Sequence, residues 1–217
     1  MAGTFKESMI QTKTDFKNLV IPALQKVLPN HRFISTEGKD NVLFKAFDMF
    51  AGVDAWAIDE AREKVRAISS RIQRCEEDWT TFTIRRQRSN GTLTEYFKRI
   101  ETDGLHPELF LHAYVTADGE KLKRLAIARA RDIFDFIKKI KPPIRHTGEN
   151  QDGQASFYAC EWGKMKERGY KLFVMRGEKV TDWGFLAPKI FNTTAGTKAD
   201  EENADFTGLL NFILDEN

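Results

Sequence analysis

The chain has 217 residues, of which 41% are hydrophobic and 30% are charged, and its formal net charge is +2. This composition excludes wholesale disorder, and the balanced charge excludes a protein that is basic throughout. No apolar run is long enough to cross a bilayer, the N-terminus lacks a signal-peptide core, and two cysteines are too few for a disulfide framework. We therefore expect a cytoplasmic protein with reduced thiols and no membrane partner.

The first half of the chain is predicted to contain a helix followed by three strands. Apolar residues at helical spacing predict the helix over residues 14–28, with Pro22 either kinking it or delaying its start. Residues 31–34 begin a polar connection. Alternating apolar and polar residues then predict strands over 42–46, 53–58 and 65–72, the last two joined by a charged turn.

The second half of the chain is predicted to alternate strands with helices. Runs of apolar and β-branched residues predict strands over 79–85, 109–116, 157–160 and 170–175. Helical spacing predicts helices over 94–101, 120–140 and 162–168. The helix over 120–140 has a long apolar stripe that ends before Pro142 and Pro143.

This order of elements predicts an α/β fold with a central mixed β-sheet flanked by helices. We predict a single α/β domain over residues 1–177. Residues 178–217 form a C-terminal extension, with a small, polar linker and an amphipathic end. The apolar end of the extension either docks back onto the domain or binds a protein partner, which includes a second copy of the chain.

Four polar residues on two neighbouring predicted strands form the candidate site. Asp54 follows Gly52 at the start of one strand, and Ser69, Arg71 and Gln73 lie on one face of the next strand if that strand is regular. Polar side chains on one face of an otherwise apolar sheet need either solvent or a site. The alternatives are that Asp54 is a turn former, that Arg71 pairs with Glu76 or Glu77, and that the polar face is solvated.

The stretch Gly52-Val53-Asp54-Ala55-Trp56 and the order of elements over residues 14–116 resemble the PD-(D/E)XK nuclease superfamily. In that family an early helix precedes a three-strand meander, with an Asp entering the second strand and (D/E)-x-K on the third. Here either Ser69-Ser70-Arg71 or Arg71-Ile72-Gln73 occupies the place of (D/E)-x-K, and neither supplies a second carboxylate.

The resemblance implies a restriction-endonuclease-like core and a Mg²⁺ ion, or a Mn²⁺ ion in its place. Asp54 and Asp48 would bind the ion, and Glu37 would stand for the helix-side acid that some members carry. Such an ion polarises the phosphate and lowers the pKa of the attacking water. Arg71 would replace the family lysine in stabilising charge on the phosphate, with Ser69 and Gln73 beside it.

A basic loop supplies further candidates for phosphate contacts. Arg85, Arg86 and Arg88 lie beside an Asn-Gly turn signal, and Trp79 and Tyr96 are candidates for stacking on bases. The alternative is a solvated basic surface. His112 lies within an apolar strand, which is more typical of a hydrogen-bonded core residue than of a catalyst.

Together these features predict a protein that acts on nucleic acid, DNA or RNA. One hypothesis is a metal-dependent endonuclease with a variant PD-(D/E)XK site. The alternative is a catalytically silent module on the same scaffold that binds nucleic acid or protein.

Overall fold

A computed structural model describes residues 5–27, 31–36, 42, 52–59, 63–87, 94, 97, 106–146, 156–177 and 179–182. The helices whose bounds are described are α1 (Phe5–Asp15), a π-helical turn (Phe16–Val20), α2 (Ile21–Val27), α3 (Ala130–Ile140) and α4 (Trp162–Glu167). The strands are β1 (His31–Ser35), β2 (Ala55–Asp59), β3 (Lys64–Arg74), β4 (Thr81–Gln87), β5 (Leu109–Val115), β6 (Leu122–Arg129), β7 (Ile144–His146), β8 (Ser156–Glu161), β9 (Phe173–Arg176) and β10 (Lys179–Asp182).

The strands form two sheets. The large sheet has seven strands in the order β1-β2-β3-β5-β6-β9-β10, and the small sheet has three in the order β4-β8-β7. Strands β3 and β5 are parallel, whereas the other neighbours in the large sheet are antiparallel. The predicted class, α/β with a mixed sheet, is confirmed.

The two faces of the large sheet pack against different layers. On one face, the π-helical turn contributes Phe16 and Val20, and α2 contributes Leu24, to a core with Ile68 and Leu111. On the other face a second core includes apolar side chains of β5 and β6 together with α3, α4 and the small sheet. Because β5 is covered on both sides, all seven of its residues are buried, which explains its nearly continuous apolar sequence.

Strand β3 changes partners along its length. Its first part, up to Ile68, pairs with β2, and its second part, from Ile68 onward, pairs with β5. Within β3, Ile68 is the only residue that pairs with described strands on both sides, with β2 on one side and with β5 on the other. The second part of β3 therefore has one edge that no described strand occupies.

The predicted helix over residues 120–140 is wrong in its first half. Residues Leu122–Arg129 form β6, which lies between β5 and β9, and the helix begins only at Ala130. Residues 125–130 are all buried. Because no exposed face alternates with a buried one in this stretch, the spacing of its apolar residues does not distinguish a helix from a strand. Pairing on both sides outweighed the helical spacing of Leu122, Leu125 and Ala126.

The other elements agree with prediction more closely. The helix predicted over residues 14–28 is part of a helical stretch that begins at Phe5, so a start delayed by Pro22 is wrong. Pro22 is the second residue of α2 and follows a π-helical turn, after which Ile21 N–H donates to Phe16 O. Strand β1 was not predicted, and β4 begins at Thr81 rather than at Trp79. The predicted strand over 42–46 and helix over 94–101 fall almost entirely outside the described residues. No described helix is long and apolar enough to cross a membrane.

The large sheet continues past the predicted domain boundary at residue 177. Strand β10, Lys179–Asp182, pairs with β9 and so belongs to the sheet. The rest of the predicted extension, residues 183–217, lies outside the described residues.

Candidate functional site

Backbone hydrogen bonds place Asp54 at the junction of three strands. Thr36, which follows β1, donates its N–H to Asp54 O at 2.9 Å and its hydroxyl to Val53 O at 2.6 Å. Asp54 N–H donates to Ile68 O at 2.9 Å. Gly52 has a φ of +58°, a left-handed conformation that glycine adopts without strain, so the turn before Asp54 suits its sequence.

The carboxylate of Asp54 takes the place of a strand partner beyond the end of β2. Its Oδ2 accepts the Ser70 N–H at 2.5 Å and the Ser69 hydroxyl at 3.3 Å. These bonds extend the β2–β3 ladder by one residue after the last backbone pair, Ala55 with Ile68. The prediction that Asp54 lies beside the polar residues of the next strand therefore holds for Ser69.

Ser69, Arg71 and Gln73 lie on one face of β3, which we call the polar face. Ile68, Ile72 and Arg74 lie on the opposite face, toward the helices, which we call the helix face. Arg74 makes a bidentate ion pair with Asp15 of α1, with both N···O distances at 2.8 Å. The polar face instead meets β4 and β8 of the small sheet.

Arg71 lies against the small sheet rather than beside an acid. Its Nη1 donates to Thr83 O over a long 3.5 Å, and its guanidinium carbon is 4.7 Å from the centre of the Phe157 ring. The guanidinium carbon of Arg85 is 5.5 Å from the same ring. Burial and the nearby charge of Arg85 lower the pKa of Arg71 to about 10, so Arg71 stays charged at neutral pH.

No carboxylate of a described residue forms an ion pair with Arg71. The predicted alternative, pairing with Glu76 or Glu77, is therefore wrong. Arg71 is thus a partly buried guanidinium that no described carboxylate neutralises, and the charge of Arg85 acts against it. Such a place favours an anion.

Gln73 belongs to a hydrogen-bond network between the two sheets. Its Oε1 lies 2.9 Å from His112 Nε2 and accepts the Thr83 hydroxyl at 3.1 Å. His112 is fully buried, and its Nδ1 accepts the Thr83 N–H at 3.2 Å. Burial, and then the charge of Arg71, lower the pKa of His112 well below its usual value. The prediction that His112 is a hydrogen-bonded core residue is confirmed.

A cavity of about 360 Å³ lies along the unoccupied edge of β3, as far as the described residues define it. Arg71, Gln73 and Arg74 of β3 line it together with Gln11, Thr12 and Asp15 of α1. Two arginines and one aspartate are thus among its lining residues, and the carboxylate of that aspartate is already paired with Arg74. The cavity is large enough to admit a small ligand group.

The described residues alone do not make the predicted metal centre. In the ranges given above, no three His, Cys, Asp or Glu side chains lie close enough together to hold a metal ion. Asp54 contributes one carboxylate. Both Asp48 and Glu37, the other predicted acids, lie outside the described residues, so the described donor set does not fit Mg²⁺, which prefers several carboxylate oxygens.

The basic loop is described only in part. Arg85 is exposed and faces Phe157, while Arg86 accepts the Thr94 N–H at its backbone oxygen, at 3.3 Å. Arg88 and Tyr96 lie outside the described residues. Trp79 is half-buried, packs against the second core and donates to Glu77 at 3.3 Å, so only part of its surface is available for stacking on a base.

Comparison with protein-family models, with curated proteins and with solved structures gives no match to this chain. Function must therefore be argued from the site itself.

The predicted site did not include three residues that contact the polar face. Phe157 lies under both arginines, Thr83 bonds to Gln73 and His112, and His112 pairs directly with Arg71 across β3 and β5. The sequence does single out His112, because it is a polar residue within the otherwise apolar run of β5. The parallel pairing of β3 with β5, which brings it beside Arg71, is not visible in the sequence.

Proposed function

We propose that this chain acts on nucleic acid through Asp54 and the polar face of β3, on a scaffold that resembles the restriction endonucleases. The observation that carries the proposal is the register of β2 and β3, which sets Ser69 beside Asp54 and Arg71 next along the same face. Of the two candidates for the (D/E)-x-K position, this register favours Ser69-Ser70-Arg71.

The order of elements supports the same scaffold. An early helical layer precedes the antiparallel meander β1-β2-β3, and Asp54 lies just before the second strand of that meander. The resemblance implies a helix before a three-strand meander, although the strand predicted to begin that meander was 42–46 rather than β1.

The charge around Arg71 supports a phosphate as the ligand. Arg71 and Arg85 share the Phe157 ring, and no acid of a described residue pairs with Arg71. Guanidinium groups bind phosphate oxygens through charge-assisted hydrogen bonds, which are stronger than neutral ones. A polynucleotide backbone supplies such phosphates in a row.

The first candidate activity is metal-dependent hydrolysis of phosphodiester bonds. Asp54 would supply one carboxylate to Mg²⁺ or Mn²⁺, and Asp48, which lies outside the described residues, would supply a second. Arg71 would hold the phosphate on the same face.

The second candidate is binding without cleavage. One observation favours it: the residue beside Asp54 on β3 is Ser69, and its hydroxyl already donates to the Asp54 carboxylate. A serine in this position contributes no charge to a metal ion, whereas Arg71, which no acid of a described residue pairs with, keeps its ability to hold a phosphate.

Cleavage and binding assays with DNA and RNA separate these candidates. Wild-type protein is compared with Asp54→Asn, which keeps an oxygen acceptor for Ser70 N–H but removes the charge, and with Arg71→Gln. For the endonuclease we expect cutting with Mg²⁺ or Mn²⁺ that falls to background in Asp54→Asn. For both candidates we expect Arg71→Gln to reduce the salt dependence of binding by about one phosphate contact.

Arg168→Gln is the matched control for loss of one positive charge, because Arg168 is exposed on the surface after α4. It should bind and cut as the wild type does. If folded wild-type protein neither cuts nor binds nucleic acid at any salt concentration, the proposal is wrong.

A gain-of-function variant tests whether the missing second carboxylate is what prevents a metal ion from binding beside Asp54. Ser69→Asp places a second carboxylate beside Asp54, and two carboxylates close together attract a divalent cation. We expect the thermal unfolding midpoint of Ser69→Asp to rise when Mg²⁺ is added, and to rise more than that of Ser69→Asn. Equal responses of the two variants would contradict a metal position at Asp54.

A further inference from the structure

The hydrogen bonds around His112 fix the orientation of its ring and its protonation. A backbone N–H can only donate, so the bond from Thr83 N–H makes His112 Nδ1 an acceptor without a proton. A neutral imidazole then carries its proton on Nε2. Complete burial of the ring agrees with this neutral form.

The same logic fixes the side-chain amide of Gln73. Because His112 Nε2 carries the proton, the atom that it contacts at 2.9 Å must be the acceptor oxygen of Gln73. That oxygen also accepts the Thr83 hydroxyl at 3.1 Å. Two donors thus occupy the oxygen, and the NH₂ group of Gln73 points away from both of them.

The two N–H donors of the Gln73 NH₂ group have no acceptor among the described residues. The nitrogen of this group is also not among the sealed polar atoms without partners, which in the described residues are Arg129 Nη2, Ser156 Oγ and Trp162 Nε1. The nitrogen is therefore not completely sealed from solvent, and Gln73 is, with Arg71, among the residues that line the cavity.

We propose that the Gln73 NH₂ group is a preoriented donor to the same backbone phosphate that Arg71 binds, and that His112 is a positioning residue that holds it there. The proposal rests on the proposed function in its choice of ligand, a phosphodiester of a polynucleotide. The donor and the guanidinium would bind different oxygens of one phosphate, because they are alternate residues on one strand face. A donor fixed before binding costs little conformational entropy when the ligand arrives.

The main test uses Gln73→Glu, which keeps the acceptor oxygen for His112 and Thr83 and replaces only the NH₂ group. We expect its affinity for a short thymidine oligonucleotide to fall about tenfold or more, since a hydrogen bond to a charged group is lost and the new carboxylate repels the phosphate. Gln25→Glu is the matched control, because Gln25 is exposed on α2 and undergoes the same change of charge. It should bind as the wild type does.

A direct measurement on the wild type does not depend on how the variant folds. The side-chain amide signals of Gln73 are assigned in a nitrogen-15 NMR spectrum by their loss in Gln73→Glu or in Gln73→Met. We expect the oligonucleotide to shift these signals together with the Nε–H signal of Arg71. In His112→Asn, which keeps an acceptor for Thr83 N–H but does not reach Gln73, the Gln73 shift should be lost and the Arg71 shift kept.

The outcomes distinguish this inference from the proposed function. If the oligonucleotide binds but neither shifts the Gln73 amide nor binds more weakly to Gln73→Glu, the inference is wrong and the proposed function stands. If inorganic phosphate shifts the Gln73 amide while no oligonucleotide binds, the proposed function fails and the ligand named here is overturned in favour of a small free phosphate.

Discussion

The two faces of β3 differ in what holds them. The helix face is packed by apolar contacts around Ile68, and at its end Arg74 is paired with Asp15 at 2.8 Å on each oxygen. On the polar face, Arg71 has a long bond to a backbone oxygen, and the NH₂ group of Gln73 has no described acceptor. Two arginines three residues apart on one strand thus have opposite environments.

This difference distinguishes the charge of Arg74, which stabilises the fold, from that of Arg71, which is available to a ligand. An arginine with a bidentate carboxylate partner is already neutralised, so it contributes to the fold and offers little to a ligand. An arginine without such a partner leaves part of its binding capacity unused. We therefore expect the helix face to govern stability and the polar face to govern ligand binding, and the following substitutions test that division.

The largest effect on stability is expected from Ile68→Ala on the helix face. Ile68 is 2% exposed, and its loss leaves a cavity, so the free energy of unfolding should fall by about 2–5 kcal/mol. Urea denaturation gives this value. Val65→Ala, on the same strand at a position 56% exposed, is the control and should change it by about 0.5 kcal/mol or less. Equal losses would contradict the division between the faces.

A pH dependence of intermediate size is expected from His112 of β5, which bonds to Gln73 on the polar face. The folded protein keeps His112 neutral, whereas the unfolded chain takes up a proton below a pKa of about 6.5. The unfolded state then binds more protons, so stability falls as the pH drops below that value, by about 1.4 kcal/mol per pH unit until the lowered folded-state pKa is reached.

Urea denaturation at a series of pH values between neutral and mildly acidic measures this slope. In His112→Asn the slope should be shallower, and in His106→Asn, which removes an exposed histidine, it should match the wild type. A wild-type slope that His112→Asn leaves unchanged would show that His112 is not held neutral.

The smallest effect is expected from Thr83→Val. This substitution keeps the shape of the side chain and the backbone bond to His112, and removes only the hydroxyl that donates to Gln73. We expect a loss of about 1 kcal/mol or less in the free energy of unfolding. If denaturation shows a loss as large as that of Ile68→Ala, then the polar face is a main source of stability and the comparison fails.

Much of the fold was predictable because local patterns matched it. Alternation predicted β2 and β3 and set Ser69, Arg71 and Gln73 on one face, as the structure has them. The strand over 157–160 and the helix over 162–168 agree with β8 and α4 to within a residue or two. Turn residues and period-two spacing act over short distances, so one sequence is enough to detect them.

The failures came from contacts between distant parts of the chain. Leu122, Leu125 and Ala126 have helical spacing, yet pairing with β5 on one side and β9 on the other makes this stretch a strand. Likewise, Arg71 is separated by many residues from His112 and Phe157, and only the assembly of both sheets brings them together. Sequence spacing does not report such neighbours, so the site was predicted only where it lies on β2 and β3.

The interleaving of the two sheets along the chain has a consequence for folding. Strand β4 lies between β3 and β5 in the sequence but pairs with β8, and β7 and β8 lie between β6 and β9. Neither sheet is therefore formed by one continuous stretch of the chain. The connection between the parallel strands β3 and β5 includes β4, which belongs to the small sheet. Because such distant pairings pay loop-closure entropy before they gain contacts, we expect slow folding in which both sheets appear in one cooperative step.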